Sequence, residues 1–233
     1  MYERNPNFQM MRLVAGSLGK LNDDLVYVGG CVVGLLVTDE ARPAVRSTQD
    51  VDLIAEVATV VEYHALCKRL RAAKLTQTLG DSDVSCRWRS ENGIIVDVMP
   101  TDEKILGYSN RWFLPALQKP LQLQLAEGLK IKLASPPLLV ASKLDAFYGR
   151  GGGDYRASHD IEDIINLVDG RPELVQEIAE GPQEVRSYLT EEFDDLLAQQ
   201  AFTSAIPFHF APDAPNQNRV PIVVERLRKI AGI

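Results

Sequence analysis

Asp50 and Asp52 alternate with apolar residues in the run Arg46-Ser47-Thr48-Gln49-Asp50-Val51-Asp52-Leu53. A β-strand turns successive side chains to opposite faces, so both carboxylates share one face while Val51 and Leu53 share the other. No basic residue lies between them, and the two anions repel. A hard divalent cation between them, Mg2+ or Mn2+, relieves that repulsion through oxygen ligands. Upstream, the apolar run Val26-Tyr27-Val28 stops on the pair Gly29-Gly30. Glycine tolerates positive φ and lets a ligand approach the backbone. A short helix over 31–37 would open its N–H groups just after Gly30 and favour an anion there. A cation site and an anion site joined by one excursion describe a pocket for a metal-bound polyphosphate, the signature of a nucleoside triphosphate.

Further charged residues stand out downstream. Asp97 is a lone carboxylate in the apolar run Ile94-Ile95-Val96-Asp97-Val98. Charged side chains are rarely buried unless paired or metal-bound, although an aspartate at a strand end also reaches water. Lys143 and Arg150 are seven positions apart and fall on one helical face. Asp160 and Asp163 follow at i, i+3, a spacing that also suits acids in the first turn of a helix. Arg150, Tyr155, Arg156 and His159 around Gly151-Gly152-Gly153 make a local basic patch.

The elements that must position these residues follow from periodicity. Residues 7–21 and 58–73 have helical apolar spacing. Residues 25–28, 50–53, 75–79, 84–88 and 94–98 read as strands, and Asn92-Gly93 marks a hairpin turn. Leu121–Leu125 and Leu129–Leu133 alternate around Glu127-Gly128 and form a second hairpin. Ser135-Pro136-Pro137 opens a helix through residue 148 by N-cap and proline-at-N1 logic. Residues 160–168, 173–180, 183–197 and 219–230 are helical, and 202–218 reads as an irregular wrap. The expected fold is α+β: a mixed sheet flanked by helices over residues 1–134, then a mainly helical domain over 135–233.

Composition bounds the function. With 45% hydrophobic and 24% charged residues over 233 positions, the chain suits a globular protein with a sizeable core. A net charge of −7 argues against whole-molecule attraction to nucleic acid. Cys31, Cys67 and Cys86 show no Cys-x-x-Cys spacing and read as reduced thiols. The N-terminus lacks a signal-peptide layout and no apolar run approaches a membrane span. A cytoplasmic protein with no membrane partner is expected.

Gly29-Gly30 followed by Thr48-x-Asp50-x-Asp52 resembles the polymerase-beta-like nucleotidyltransferase superfamily. The form Arg46-x-Thr48-x-Asp50-x-Asp52 looks most like its AbiEii-type toxin branch, as do Lys143-Leu-x-Ala146-x-x-x-Arg150 and Asp160-x-x-Asp163-Ile164. The resemblance implies a nucleotidyltransferase-type sheet and transfer of a nucleoside monophosphate from an NTP to an acceptor hydroxyl. It makes Asp50, Asp52 and Asp97 the ligands of Mg2+ or Mn2+, and Lys143 a catalytic contact to the triphosphate. Gly29, Gly30, Thr48, Arg150 and Asp160 become nucleotide-binding residues, with Asp163 the alternative to Asp160. The implied acceptor is a tRNA or a protein, with an antitoxin as partner. A small-molecule nucleotidyltransferase, acting on an antibiotic or metabolite, would use the same metal site. A catalytically silent nucleotide-binding module would have no physical reason to keep three close carboxylates.

Overall fold

Residues 5–77, 86–150 and 153–233 are described by a computed structural model. It divides into two compact units, one of Met1–Leu35 and Ala44–Ser135, the other of Leu36–Pro43 and Pro136–Ile233. The fold is mixed α+β: a seven-stranded mixed sheet flanked by helices, and a helical C-terminal region.

The first unit is built on the sheet. Its strands are β1 (Leu25–Val28), β2 (Asp50–Ala55), β3 (Thr76–Gln77), β4 (Arg87–Arg89), β5 (Ile95–Pro100), β6 (Leu121–Ala126) and β7 (Leu129–Leu133), in the order β3-β4-β5-β2-β1-β7-β6. The two central strands, β2 and β1, are antiparallel, whereas β2 runs parallel to β5 and β1 parallel to β7. All four residues of β1 are buried, as expected of a strand covered on both faces. Tyr27 on β1 is fully buried, and its hydroxyl donates to Asn22 Oδ1 at 2.7 Å. The Asn22 amide in turn donates to the Ala15 and Gly19 carbonyls at 2.8 and 2.7 Å. That chain of bonds satisfies every polar atom it buries and ties β1 to helix α1 (Phe8–Leu18).

Helix α2 (Gly30–Leu36) follows β1 directly, and α3 (Val60–Ala72) starts from a capping box between Thr59 and Glu62. Gly93, at φ +78°, closes the turn between β4 and β5, where Ser90 N–H donates to the Ile94 carbonyl at 2.9 Å. Two short helices, α4 (Glu103–Leu106) and α5 (Phe113–Gln118), fill a stretch in which the sequence shows no periodicity. Strand β3 covers Thr76–Gln77, while Leu79 and Val84 of the expected strands lie outside the described residues.

The second unit contains α6 (Pro136–Gly149), α7 (His159–Gly170), α8 (Leu174–Ala179), α9 (Gln183–Ala198), α10 (Gln200–Ala205), α11 (Ala214–Gln217) and α12 (Val220–Ala231). Leu144, Ile165, Leu189, Phe193, Val223 and Leu227 are all fully buried within it. Each such side chain contributes about 1.5–3 kcal/mol relative to exposure. Residues 202–218 are more regular than their composition suggests. Pro207 and Pro215 sit in the first turns of a 3-10 turn (Ile206–His209) and of α11, where a missing N–H costs nothing. Among the described residues no helix is long and apolar enough to cross a membrane.

Candidate functional site

The parallel pairing of β2 with β5 sets Asp52 directly opposite Asp97, with Asp50 two residues earlier on the same face. One carboxylate oxygen from each of the three lies within 4.8 Å of the others. Val51 and Leu53, on the opposite face of β2, are fully buried, so core packing fixes the register that places the acids together. Two carboxylates at such a separation repel by about 3–4 kcal/mol before water screens them.

The glycine pair meets the acids for a steric reason. Val28 pairs with Asp52, and Gly29 follows at φ +76°. A Cβ at Gly29 would lie 1.9 Å from Asp52 Oδ2. The space a side chain would fill is thus occupied by the carboxylate, and only glycine permits both the backbone turn and that approach. Gly30 is buried at the first position of α2.

Two further residues shape this face, and neither stood out in the sequence. Asn7, almost fully buried ahead of α1, accepts a hydrogen bond from Thr48 N–H at 2.8 Å and donates to the Arg46 carbonyl at 3.1 Å. It clamps the segment that enters β2. The Thr48 hydroxyl donates to the Asp50 carbonyl at 3.1 Å, which stiffens the same turn.

The second is Arg87. Antiparallel pairing of β4 with β5 sets it opposite Asp97. Its Nε donates to Asp97 Oδ1 at 2.9 Å and its Nη2 to Asp97 Oδ2 at 2.7 Å, a two-pronged pair. The same Nη2 lies 4.0 Å from Asp50 Oδ2. The hydrogen bonds to Asp97, then its charge, hold the guanidinium well above its ordinary pKa. No base lies between Asp50 and Asp52 in sequence, and the cation comes instead from β4, the strand beside β5. Counting outward from Asn92-Gly93 as a two-residue turn would set Trp88 opposite Asp97; the loop instead spans residues 91–93, closed by Ser90 and Ile94, and this one-residue shift brings Arg87 to Asp97.

These features test whether a metal fits. Arg87 offsets part of the charge that three close carboxylates bring to the face. All the donors are hard oxygens, which suit Mg2+ or Mn2+. Asp50 keeps 35% of its side chain exposed, so the group opens to solvent. The residues present fit a divalent cation held by Asp50, Asp52 and Asp97.

The sheet architecture has a counterpart among known structures. JHP933 from Helicobacter pylori is similar along 96% of this chain and 90% of its own, with a TM-score of 0.50 and 13% sequence identity. A second H. pylori structure, of a "putative nucleotidyltransferase", covers 99% of this chain and 96% of its own at a TM-score of 0.46 and 13% identity. At such identity the likeness concerns the fold. No protein-family model matches the chain, and no curated protein does.

The remaining expected site residues form a cluster inside the second unit. Lys143 on α6 is buried, with its Nζ 3.1 Å from Asp160 Oδ1 and 2.7 Å from Asp163 Oδ2, both on α7. Arg150, whose side chain is 72% exposed, pairs with the other oxygen of Asp160. Two cations thus meet two carboxylates, and both aspartates engage the lysine. His159 is exposed and lies 3.2 Å from Glu162 through Nδ1. Gly151 and Gly152 of the expected basic patch lie outside the described residues.

Proposed function

We propose that the chain is a metal-dependent nucleotidyltransferase that moves a nucleoside monophosphate from an NTP to an acceptor hydroxyl, releasing pyrophosphate. The observation that carries this reading is the convergence of Asp50, Asp52 and Asp97 beside Gly29 on one face of the sheet. Attack on the α-phosphorus builds negative charge on both the entering and the leaving oxygen. A divalent cation held by the three carboxylates supplies the neutralising charge and makes the acceptor hydroxyl more acidic.

The chain's own groups do the rest. Asp50 and Asp52 would hold that cation beside the triphosphate. Asp97 takes the proton of the acceptor hydroxyl as the new oxygen–phosphorus bond forms and the bond to the pyrophosphate oxygen breaks. Gly29 and Gly30 offer backbone N–H groups to the β- and γ-phosphates, and Thr48 shapes the turn beside them. In the second unit Lys143, held by Asp160 and Asp163, and Arg150 would supply cationic groups for binding phosphate. The acceptor is a tRNA or a protein, following the AbiEii-type pattern Arg46-x-Thr48-x-Asp50-x-Asp52, and an antitoxin partner and cytoplasmic setting belong to the same reading.

The test is transfer of label from each α-labelled NTP, with Mg2+, to total tRNA or to lysate protein. Transfer with at least one NTP is expected, together with a loss of about a thousandfold in Asp52→Asn. A protein that neither transfers label nor binds any NTP in the presence of Mg2+ would refute the reading.

A further inference from the structure

Arg87 is placed oddly for a residue that serves only stability. It occupies both oxygens of Asp97, one of the three carboxylates in the group suited to a metal, and reaches toward a second, Asp50. Yet 48% of its side chain is exposed, against 11% for Asp97. A half-exposed arginine on an edge-side strand retains rotamers that lead away from the sheet. A guanidinium also binds phosphate with the same two-pronged geometry that it uses for carboxylate.

We infer that Arg87 is an exchangeable counter-ion: it holds the acidic face together before a cation arrives, yields Asp97 to that cation, and turns its guanidinium to the triphosphate. This deepens the nucleotidyltransferase reading and rests on it. The electrostatic logic has two halves with opposite signs. Toward a bare cation Arg87 is a competitor, both by like charge and by occupying the Asp97 oxygens. Toward a polyphosphate already paired with cation it is an attractive donor. A merely structural arginine would not separate those two affinities.

Calorimetry on the full chain provides the test, with Mn2+ alone as the first probe and inorganic tripolyphosphate in saturating Mn2+ as the second, so that no base preference enters. Arg87→Gln is expected to bind Mn2+ roughly three- to tenfold more tightly than the unaltered protein and tripolyphosphate at least roughly fivefold more weakly. Arg87→Lys keeps the charge but lacks the fork, and should fall between the two on both probes. Should Arg87→Gln fold poorly, the Arg87→Lys variant still carries the opposed trend. Equal Mn2+ affinity in all three proteins, or weakening on both probes together, overturns the exchange while leaving the metal site standing. Failure of the unaltered protein to bind Mn2+ at all overturns the functional reading with it.

Discussion

Two regions of this molecule gather aspartates, and they treat the charge in opposite ways. In the second unit Asp169 is wholly buried, and arginines surround it. Arg42 Nε lies 2.9 Å from Asp169 Oδ2, and Arg219 Nε lies 2.9 and 3.0 Å from the two oxygens. Arg219 also pairs with Asp39, and Arg42 with Asn166. Burial pulls Arg42 below its ordinary pKa, against the attraction of Asp169. On the sheet face of the first unit, by contrast, Asp50, Asp52 and Asp97 crowd together, Arg87 pairs with Asp97 and lies 4.0 Å from Asp50, and Asp50 keeps 35% of its side chain exposed. A carboxylate matched by cations and sealed from water serves the fold, because breaking the pair strands a buried charge. Carboxylates crowded together on a face open to solvent store repulsion that a ligand relieves. Exposure, more than the number of acids, separates scaffold from site.

The sharpest way to break that contrast is at its most buried member. Asp169→Ala leaves Arg42 and Arg219 facing each other without their shared anion, and should cost about 3–5 kcal/mol. Thermal unfolding should register this as a fall in melting temperature of roughly 10 °C or more. A fall of only a degree or two would mean that solvent reaches the network. Next in size is Gly29→Ala, which adds a Cβ 1.9 Å from Asp52 Oδ2 at φ +76°. Strained backbone and displaced carboxylate together should cost about 2–4 kcal/mol. Urea denaturation measures it, and a neutral result would show that Asp52 has another position of equal energy.

Asp50→Asn should do the reverse of Asp169→Ala. Removing one of three crowded anions relieves repulsion, so stability in chelator should hold or rise by up to about 1 kcal/mol. The melting-temperature gain on adding Mn2+ should largely vanish in the same variant. If Asp50→Asn instead destabilised the metal-free protein as much as Asp169→Ala does, the two regions would not differ in kind.

How much of this was legible beforehand depends on the range of the interaction. The placement of Asp50 and Asp52 on one face needs only the two-residue period of a strand, and the β4–β5 turn needs only Asn92-Gly93. Asp97 became a member of the group through the parallel β2–β5 register, which no local pattern specifies. Arg87 was hidden by the loop length, since a two-residue Asn92-Gly93 turn would set Trp88 opposite Asp97 and only the three-residue loop brings Arg87 there. Asn7 stands at the N-cap of α1 without a side-chain cap bond and gives its amide instead to residues 46 and 48. Such a contact spans too much sequence to leave a periodic trace. The irregular wrap expected over 202–218 from its Pro, Phe and Asn content is partly helical, because Pro207 and Pro215 fall in first turns, where proline is compatible with a helix.

The smallest test concerns a group in the second unit that is satisfied while neutral. His209 is half-buried, and its Nε2 lies 2.7 Å from the Tyr155 carbonyl. Burial lowers its pKa below the ordinary histidine value, opposed by that hydrogen bond and by the charge of Glu162. In the window between the lowered folded value and the ordinary one near 6.5, the unfolded chain binds the extra proton and the folded chain does not. Stability therefore falls as pH drops through that window and levels off below it. His209→Gln retains a donor for Tyr155 but does not titrate, so its melting temperature should depend less on pH between 7.5 and 5.5, by about 1–2 °C. Because every other group is common to both proteins, the difference isolates His209. Parallel curves would mean that the imidazole stays as accessible to protons in the folded chain as in the unfolded one, and that sealed, matched groups in the second unit do not extend to this position.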